Sequence, residues 1–359
     1  MKPIYVTKTF LPPLDEFQEM LEEMWRTHIV TNDGPFYQLF EKKLKQYTGI
    51  ENVICLGNGT IALQIVVRTL NLKGEILTSP FSHVATSGSI VWENCKPVFV
   101  DIDRDSFNMN PENIESKINE KTTAILPVHV YSNPCEIEKI QEVADKYNLK
   151  VIYDAAHAFG VQYKGRSIFS YGDISMASFN ATKAFHSIEG GALFTKDRKL
   201  VEPIRRLSYF GMNKKKEITQ QYGTNAKMIE FSAAMGILNL KYFDENRNKE
   251  KELYYTYLEE LKNNKYIKFQ KINGEINYSY FPVIFNSENV KKRAIQKLNK
   301  SFIYPKEYFK PSLEVVFSEK GTINCPIAYD YSNRVLCLPM SVYLSKSDIS
   351  VICKLLNDL

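Results

Sequence analysis

VIYDAAHAFG (residues 151–160) is followed, after a polar loop, by GDISMASFNATKAFHSIEGGALF (residues 172–194). An apolar strand, Val151 to Tyr153, ends in an acid, Asp154. A second strand, Ile174 to Phe179, carries Ser178 and runs into Asn180, Thr182 and a single lysine, Lys183. A Glu-Gly-Gly turn leads into a third strand, Ala192 to Thr195.

An acid at one strand end and a lysine after another meet the needs of pyridoxal phosphate. Its aldehyde is held by a lysine as a Schiff base, and a buried carboxylate keeps its pyridine nitrogen protonated so that the ring acts as an electron sink. A lysine serves as that amine only when burial or a neighbouring cation lowers its pKa. Taken singly, Lys183 and Asp154 read as ordinary exposed charges. Their surroundings decide the reading.

Upstream, strands and helices alternate from about residue 53 to residue 195. Strands are expected at Val53–Leu56, Glu75–Thr78, Val98–Ile102 and Thr123–Val130, with helices at Ile61–Leu70, through Trp92, after the Asn110-Pro111 cap, and at Glu136–Tyr147 after an Asn133-Pro134 cap. This alternation predicts an α/β fold with a mostly parallel sheet covered by helices on both faces. Ligands then sit beyond the carboxyl ends of the strands. The Gly57-Asn58-Gly59-Thr60 turn, Ser82-His83, Asp154, His157 and Lys183 all fall at or just after strand ends. Gly59 and Thr60 open a helix, where bare N–H groups and the helix dipole suit a phosphate or form a plain cap. The turn is neither GxGxxG nor GxxxxGK[ST], which disfavours a nicotinamide-dependent oxidoreductase and a P-loop.

Outside this region, residues 1–14 read as an extended arm, and Asp15–His28 and Phe36–Tyr47 as amphipathic helices. Tyr209–Ala226 reads as a polar loop ending in TNAKM, and Ile229–Lys262 as one long helix. Two domains are expected: 1–240, the arm and a large cofactor-binding domain, and 241–359, a small C-terminal domain.

The composition is that of a globular chain, 44% hydrophobic and 24% charged, with no apolar run long enough to span a membrane. The first residues lack the apolar core of a signal peptide. Six cysteines without a CxxC pair argue against zinc or a disulfide framework and fit the cytoplasm. The net charge of +5 suits an anionic small ligand and does not call for nucleic acid.

The chain resembles the DegT/DnrJ/StrS-type sugar aminotransferases. The motifs that carry the likeness are TNDGPF, GNGTIAL, PFSHVAT, KPVFVDID, ILPVHVYSNPCEIEKIQEVADKY, VIYDAAHAFG, SFNATKAFHSIEGGALFT, GTNAKMIEFSAAMG, EYFKPSL and VLCLPM, spread over nearly the whole chain. The resemblance implies the aspartate-aminotransferase fold (pyridoxal-phosphate fold type I), with a seven-stranded sheet and a smaller α+β domain. It implies that Lys183 holds pyridoxal phosphate and moves the proton, and that Asp154 pairs with the pyridinium. His157 would lie near the ring hydroxyl, and Gly59, Thr60 and Ser178 would bind the phosphate. Asn225 would reach the phosphate of the neighbouring subunit's cofactor, in a homodimer with shared active sites; read from the residues alone, Asn225 is a helix cap. His83 stands where relatives often stack a larger aromatic on the ring, or is only a loop residue. Asn180 stands where relatives often carry histidine.

Within the family the likeness is to enzymes that move an amino group from L-glutamate to a dTDP-linked 4-keto-6-deoxyglucose for O-antigen and lipopolysaccharide sugars. The rivals are the 4-amino-galacto epimer, a 3-amino sugar, and a pyridoxal-phosphate-binding regulator without turnover. The run Lys214-Lys215-Lys216 is a candidate for the path of the sugar diphosphate.

Overall fold

The protein is described by a computed structural model over residues 2–220, 222–318 and 322–359. The arm contributes β1 (Ile4–Tyr5). Two helices come next, α1 (Leu14–Thr27) and α2 (Pro35–Thr48). The alternating region holds β2 (Asn52–Leu56), α3 (Gly59–Thr69), β3 (Glu75–Thr78), α4 (Val84–Trp92), β4 (Lys96–Phe99), β5 (Thr122–Leu126), α5 (Ile137–Tyr147) and β6 (Lys150–Asp154). A small hairpin, β7 (Gln162–Tyr163) and β8 (Arg166–Ser167), precedes β9 (Ile174–Ser178), β10 (Gly191–Thr195), α6 (Val201–Ser208) and the long α7 (Glu230–Leu261). The C-terminal part holds β11 (Ile267–Phe269), β12 (Phe281–Phe285), α8 (Glu288–Lys300), β13 (Ile303–Tyr304), α9 (Leu313–Phe317), α10 (Pro326–Arg334), β14 (Val335–Leu338) and α11 (Lys346–Asn357).

The main sheet has seven strands in the order β2-β10-β9-β6-β5-β3-β4. Strand β10 runs antiparallel to both neighbours, and every other pairing is parallel. Alternate residues of these strands enter different cores. Val53, Cys55, Val151, Tyr153 and Phe194 pack on one face, and Ile54, Leu56, Ile152, Met176 and Leu193 on the other. A sheet buried on both faces must be sandwiched between helices, as expected. Because β10 alone is reversed, the carboxyl ends of β2, β3, β6 and β9 share one edge.

Helix α7 carries the chain out of this sandwich. Its Ala233, Ile237 and Phe243 belong to the sheet core, while Leu253, Tyr254 and Tyr257 belong to the core of the three-stranded sheet β11-β12-β14. The expected boundary at 240/241 falls within this helix. At its start, the Glu230 carboxylate accepts the Phe36 and Tyr37 N–H groups, both at 2.8 Å. It thereby satisfies the otherwise orphaned first turn of α2. The arm is extended, and β1 pairs in parallel with β13 of the C-terminal part. A fourth cluster seals the seam, joining Val6, Phe81 and Tyr131 to Phe309 and Cys337.

Three local expectations need correction. The strand expected at Val98–Ile102 is β4, Lys96–Phe99. It stops because Asp101 turns away to accept the Ile327 and Ala328 N–H groups at the start of α10, both at 2.9 Å. Asn110 does act as a cap, accepting Glu112 N–H, but only two short 3-10 turns form after it. Asn133 does not cap α5, whose cap position is Glu136. Its amide instead bonds the carbonyls of Ser106 and Lys271 and accepts Asn273 N–H, tying distant segments together.

Candidate active site

The shared carboxyl edge of the sheet opens into a cavity of about 290 Å³. Gly59, Thr60, His83, Asp154, His157, Ser178 and Lys183 all line it, delivered by strand ends or the turns after them.

The start of α3 is held tightly against the strands. Asn58 caps the helix, its side chain accepting Ile61 N–H at 2.8 Å. The Gly59 and Thr60 N–H groups precede any intrahelical acceptor, so they and the helix dipole favour an anion. Glycine is required at Gly191, where an added Cβ would lie 2.7 Å from the Asn58 carbonyl carbon and 2.8 Å from Gly59 N. That close approach brings the Glu-Gly-Gly turn against the helix start. Ser178, at the end of β9, lines the same corner.

Asp154 is buried at the end of β6. Its Oδ2 accepts the Thr86 hydroxyl at 2.7 Å and its Oδ1 the Ala156 N–H at 3.1 Å. Burial pushes its pKa up, and these hydrogen bonds, with Lys183 and His83 nearby, oppose the rise. Lys183 faces the cavity from the turn after β9, its N–H bonded to the Asn180 carbonyl at 2.9 Å. Protein surrounds its amine closely enough that desolvation lowers the pKa to about 8, against a pull upward from Asp154. A neutral amine near physiological pH and a carboxylate kept for a cation are the two groups the sequence pointed to.

Both histidines are neutral by environment. His157 accepts Tyr131 N–H on Nδ1 at 3.2 Å, and burial depresses its pKa. Its ring lies parallel to Phe309, with centroids 5.6 Å apart. His83 caps α4, accepting Ala85 N–H on Nδ1 at 3.2 Å, and desolvation lowers its pKa too. It is therefore more than a loop residue, and its outer face remains open to the cavity.

Asn225 is not among the cavity's residues. It is exposed, accepts Lys227 Nζ at 2.6 Å, and does not cap α7, whose cap position is Ile229. Lys214, Lys215 and Lys216 are exposed and also lie outside the cavity lining. Asn180 lines the cavity but is engaged with its own loop. Its amide reaches Glu189 at 2.5 Å, and its carbonyl oxygen accepts the Thr182 N–H and hydroxyl.

Sequence reasoning missed the far wall. Tyr280, Tyr308 and Phe309 of the C-terminal part, Thr7 of the arm, and Thr86 and Glu189 also line the cavity. The EYF motif was the one signal for Tyr308 and Phe309. The donor set suits pyridoxal phosphate: an anion cradle, a buried acid and a low-pKa amine surround one cavity.

This fold, with a buried lysine and a buried aspartate on one sheet edge, is that of an aminotransferase. A family model described as the DegT/DnrJ/EryC1/StrS aminotransferase family matches residues 14–357, and the chain belongs to that family. It is 39% identical to a dTDP-4-amino-4,6-dideoxy-D-glucose transaminase of Escherichia coli, over 99% of this chain and 98% of that one. It is 40% identical to an enzyme of the same name from Shigella dysenteriae, over 100% and 99%. Among solved structures, DesI in the presence of its TDP-sugar product superimposes with a TM-score of 0.94 at 28% identity, covering 99% of this chain and 93% of that one.

Proposed function

We propose that this enzyme moves an amino group from L-glutamate to C4 of dTDP-4-dehydro-6-deoxy-D-glucose, giving dTDP-4-amino-4,6-dideoxy-D-glucose. The observation that carries this reading is the end-to-end similarity to two enzymes of that name. The cavity chemistry supports the reaction type. Bound there, pyridoxal 5'-phosphate supplies an electron sink and a carrier for the amine.

The chain's own residues then have distinct tasks. Lys183 holds the cofactor through its amine and, once released, carries the proton between the carbons flanking the nitrogen. Asp154 holds the proton on the ring nitrogen. Gly59 and Thr60 N–H groups and the Ser178 hydroxyl hold the phosphate. His157 sits by the ring hydroxyl, and His83 covers a ring face, with less area than a larger aromatic gives. Asn225, exposed and outside its own cavity, serves the phosphate site of a second subunit in a homodimer. The described residues include no helix long and apolar enough to cross a membrane. All six cysteines are free and buried, the usage of a reducing compartment, and we assign the enzyme to the cytoplasm.

The proposal is tested by absorbance titration of the cofactor-loaded protein with dTDP-4-amino-4,6-dideoxyglucose, its galacto epimer and the 3-amino isomer. Loss of the bound-cofactor band with the 4-amino-gluco compound alone is the expected result. A response to another isomer alone corrects the sugar, and no cofactor band at all overturns the reading.

A second expectation concerns pH. The Lys183 amine attacks the cofactor only when unprotonated, and its pKa is lowered to about 8. The rate of covalent cofactor capture by apo-protein should therefore climb about tenfold per pH unit below that value and level off above it. Stopped-flow absorbance measures this. A climb that continues to pH 10 would show an ordinary exposed lysine.

A further inference from the structure

Two hydroxyls stand behind Asp154, and neither the motifs nor the family likeness assigned them a task. Thr86, in the first turn of α4, donates to Asp154 Oδ2 at 2.7 Å. Ser82 Oγ lies 2.8 Å from Thr86 Oγ1. All three residues are buried and all three line the cavity.

The direction of this chain comes from counting protons. A hydroxyl has one proton to donate and lone pairs with which to accept. An ionised carboxylate only accepts, so the Thr86 proton is committed to Asp154. Ser82 must then donate to Thr86. Each link polarises the next. If Asp154 became protonated and donated to Thr86, the Thr86–Ser82 link would reverse, and the donor that favours the charged form would be gone.

We infer that Ser82 and Thr86 form a positioning relay that keeps Asp154 ionised and oriented, so that it can hold a proton on the ring nitrogen of the cofactor. This rests on the pyridoxal-phosphate reading above. The carboxylate has one donor on each oxygen, Thr86 on Oδ2 and Ala156 N–H on Oδ1, leaving lone pairs for a cationic partner. Its backbone is fixed as well: the Asp154 carbonyl accepts His129 N–H at 3.1 Å, and Asp154 N–H bonds the Pro127 carbonyl at 2.9 Å. The other titratable groups that act on it are Lys183 and His83 across the cavity and the buried Cys135 thiol. Of these, Lys183 is withdrawn as a cation when it holds the cofactor, and His83 and Cys135 are neutral. The hydroxyl relay is then the main side-chain support of the charge, against burial that opposes it.

The test is the ring-nitrogen ¹⁵N shift of ¹⁵N-labelled pyridoxal phosphate bound to the full-length protein, recorded over a pH series. In Thr86→Val, which keeps the volume and loses the hydroxyl, the pH at which the ring nitrogen gives up its proton should fall by about one unit, the scale of a lost hydrogen bond to a charge. Thr86→Ser should restore the wild-type value. Ser82→Ala should shift it in the same direction by less. A purely structural role would lower melting temperature without moving the ¹⁵N titration. An unmoved titration in Thr86→Val therefore overturns the inference. Should that variant hold no cofactor, Ser82→Ala decides: a downward shift supports the relay and a wild-type titration overturns it. Wild-type protein with no bound ¹⁵N signal would sink the cofactor reading itself, which a bound but unshifted signal would not.

Discussion

Replacing Lys183 with alanine is expected to lower amino transfer by about 10⁴-fold or more, the upper range for loss of a positioned general base, while the protein stays folded. Two tasks vanish with one side chain: the covalent hold on the cofactor and the proton shuttle. The fold should not suffer, because the amine is desolvated, and burial rather than a stabilising partner dominates its pKa. Burying that group costs free energy, so its removal is neutral or mildly stabilising. Cofactor should still enter, held by the helix start at Gly59 and by Asp154, but gel filtration should now strip it away. Lys183→Arg should be equally inactive, since a guanidinium stays protonated and cannot act as nucleophile or base. The decisive assay is single-turnover amino transfer from L-glutamate, paired with a thermal melt. A Lys183→Ala protein that keeps a tenth of wild-type turnover would contradict the assignment, and an unchanged cellular phenotype would favour a regulator.

The parts of this molecule that were legible in its sequence share one property: their signal is local. The sheet was readable because the strands are short, apolar on both faces and separated by capped helices. Asp154 and Lys183 were readable because each sits where such a strand ends. The rest depends on contacts between residues far apart in the chain. Tyr280, Tyr308 and Phe309 reach the cavity only because α7 carries the C-terminal part back over the sheet edge, and no spacing in the sequence encodes that return. Asp101 looked like the end of a strand and is the cap of α10. Asn133 carried the signature of a helix cap, Asn before Pro, yet its amide serves as a cross-link to Ser106 and Lys271. Thr86 has no motif at all: a threonine in a run of small residues becomes informative only when the turn of α4 places its hydroxyl on Asp154.

Asp154→Asn should separate function from stability by moving them in opposite directions. Burial raises the folded-state pKa of Asp154, so on folding the charged form is disfavoured relative to the unfolded chain. An acid shifted this way adds no penalty below its unfolded pKa, near 4. As pH rises from there towards the folded-state pKa, the unfolded chain sheds its proton first and apo-protein stability declines. Above the folded-state value the penalty is constant. Asparagine has no such titration, so the apo variant should melt higher than wild type at neutral pH, and the gap should close on acidification. With cofactor the sign reverses. The pyridinium would lose its buried counter-charge, and removing one partner of a buried pair costs about 3–5 kcal/mol, which is about 10²- to 10⁴-fold in affinity or turnover. Thermal melts of apo-protein across pH, set beside cofactor titrations and kcat, measure both halves. A variant that is less stable as apo-protein yet binds cofactor as tightly as wild type would make Asp154 a structural acid. The expected crossing, more stable when empty and far weaker when loaded, arises only if the fold carries a destabilising charge for the sake of a ligand that neutralises it.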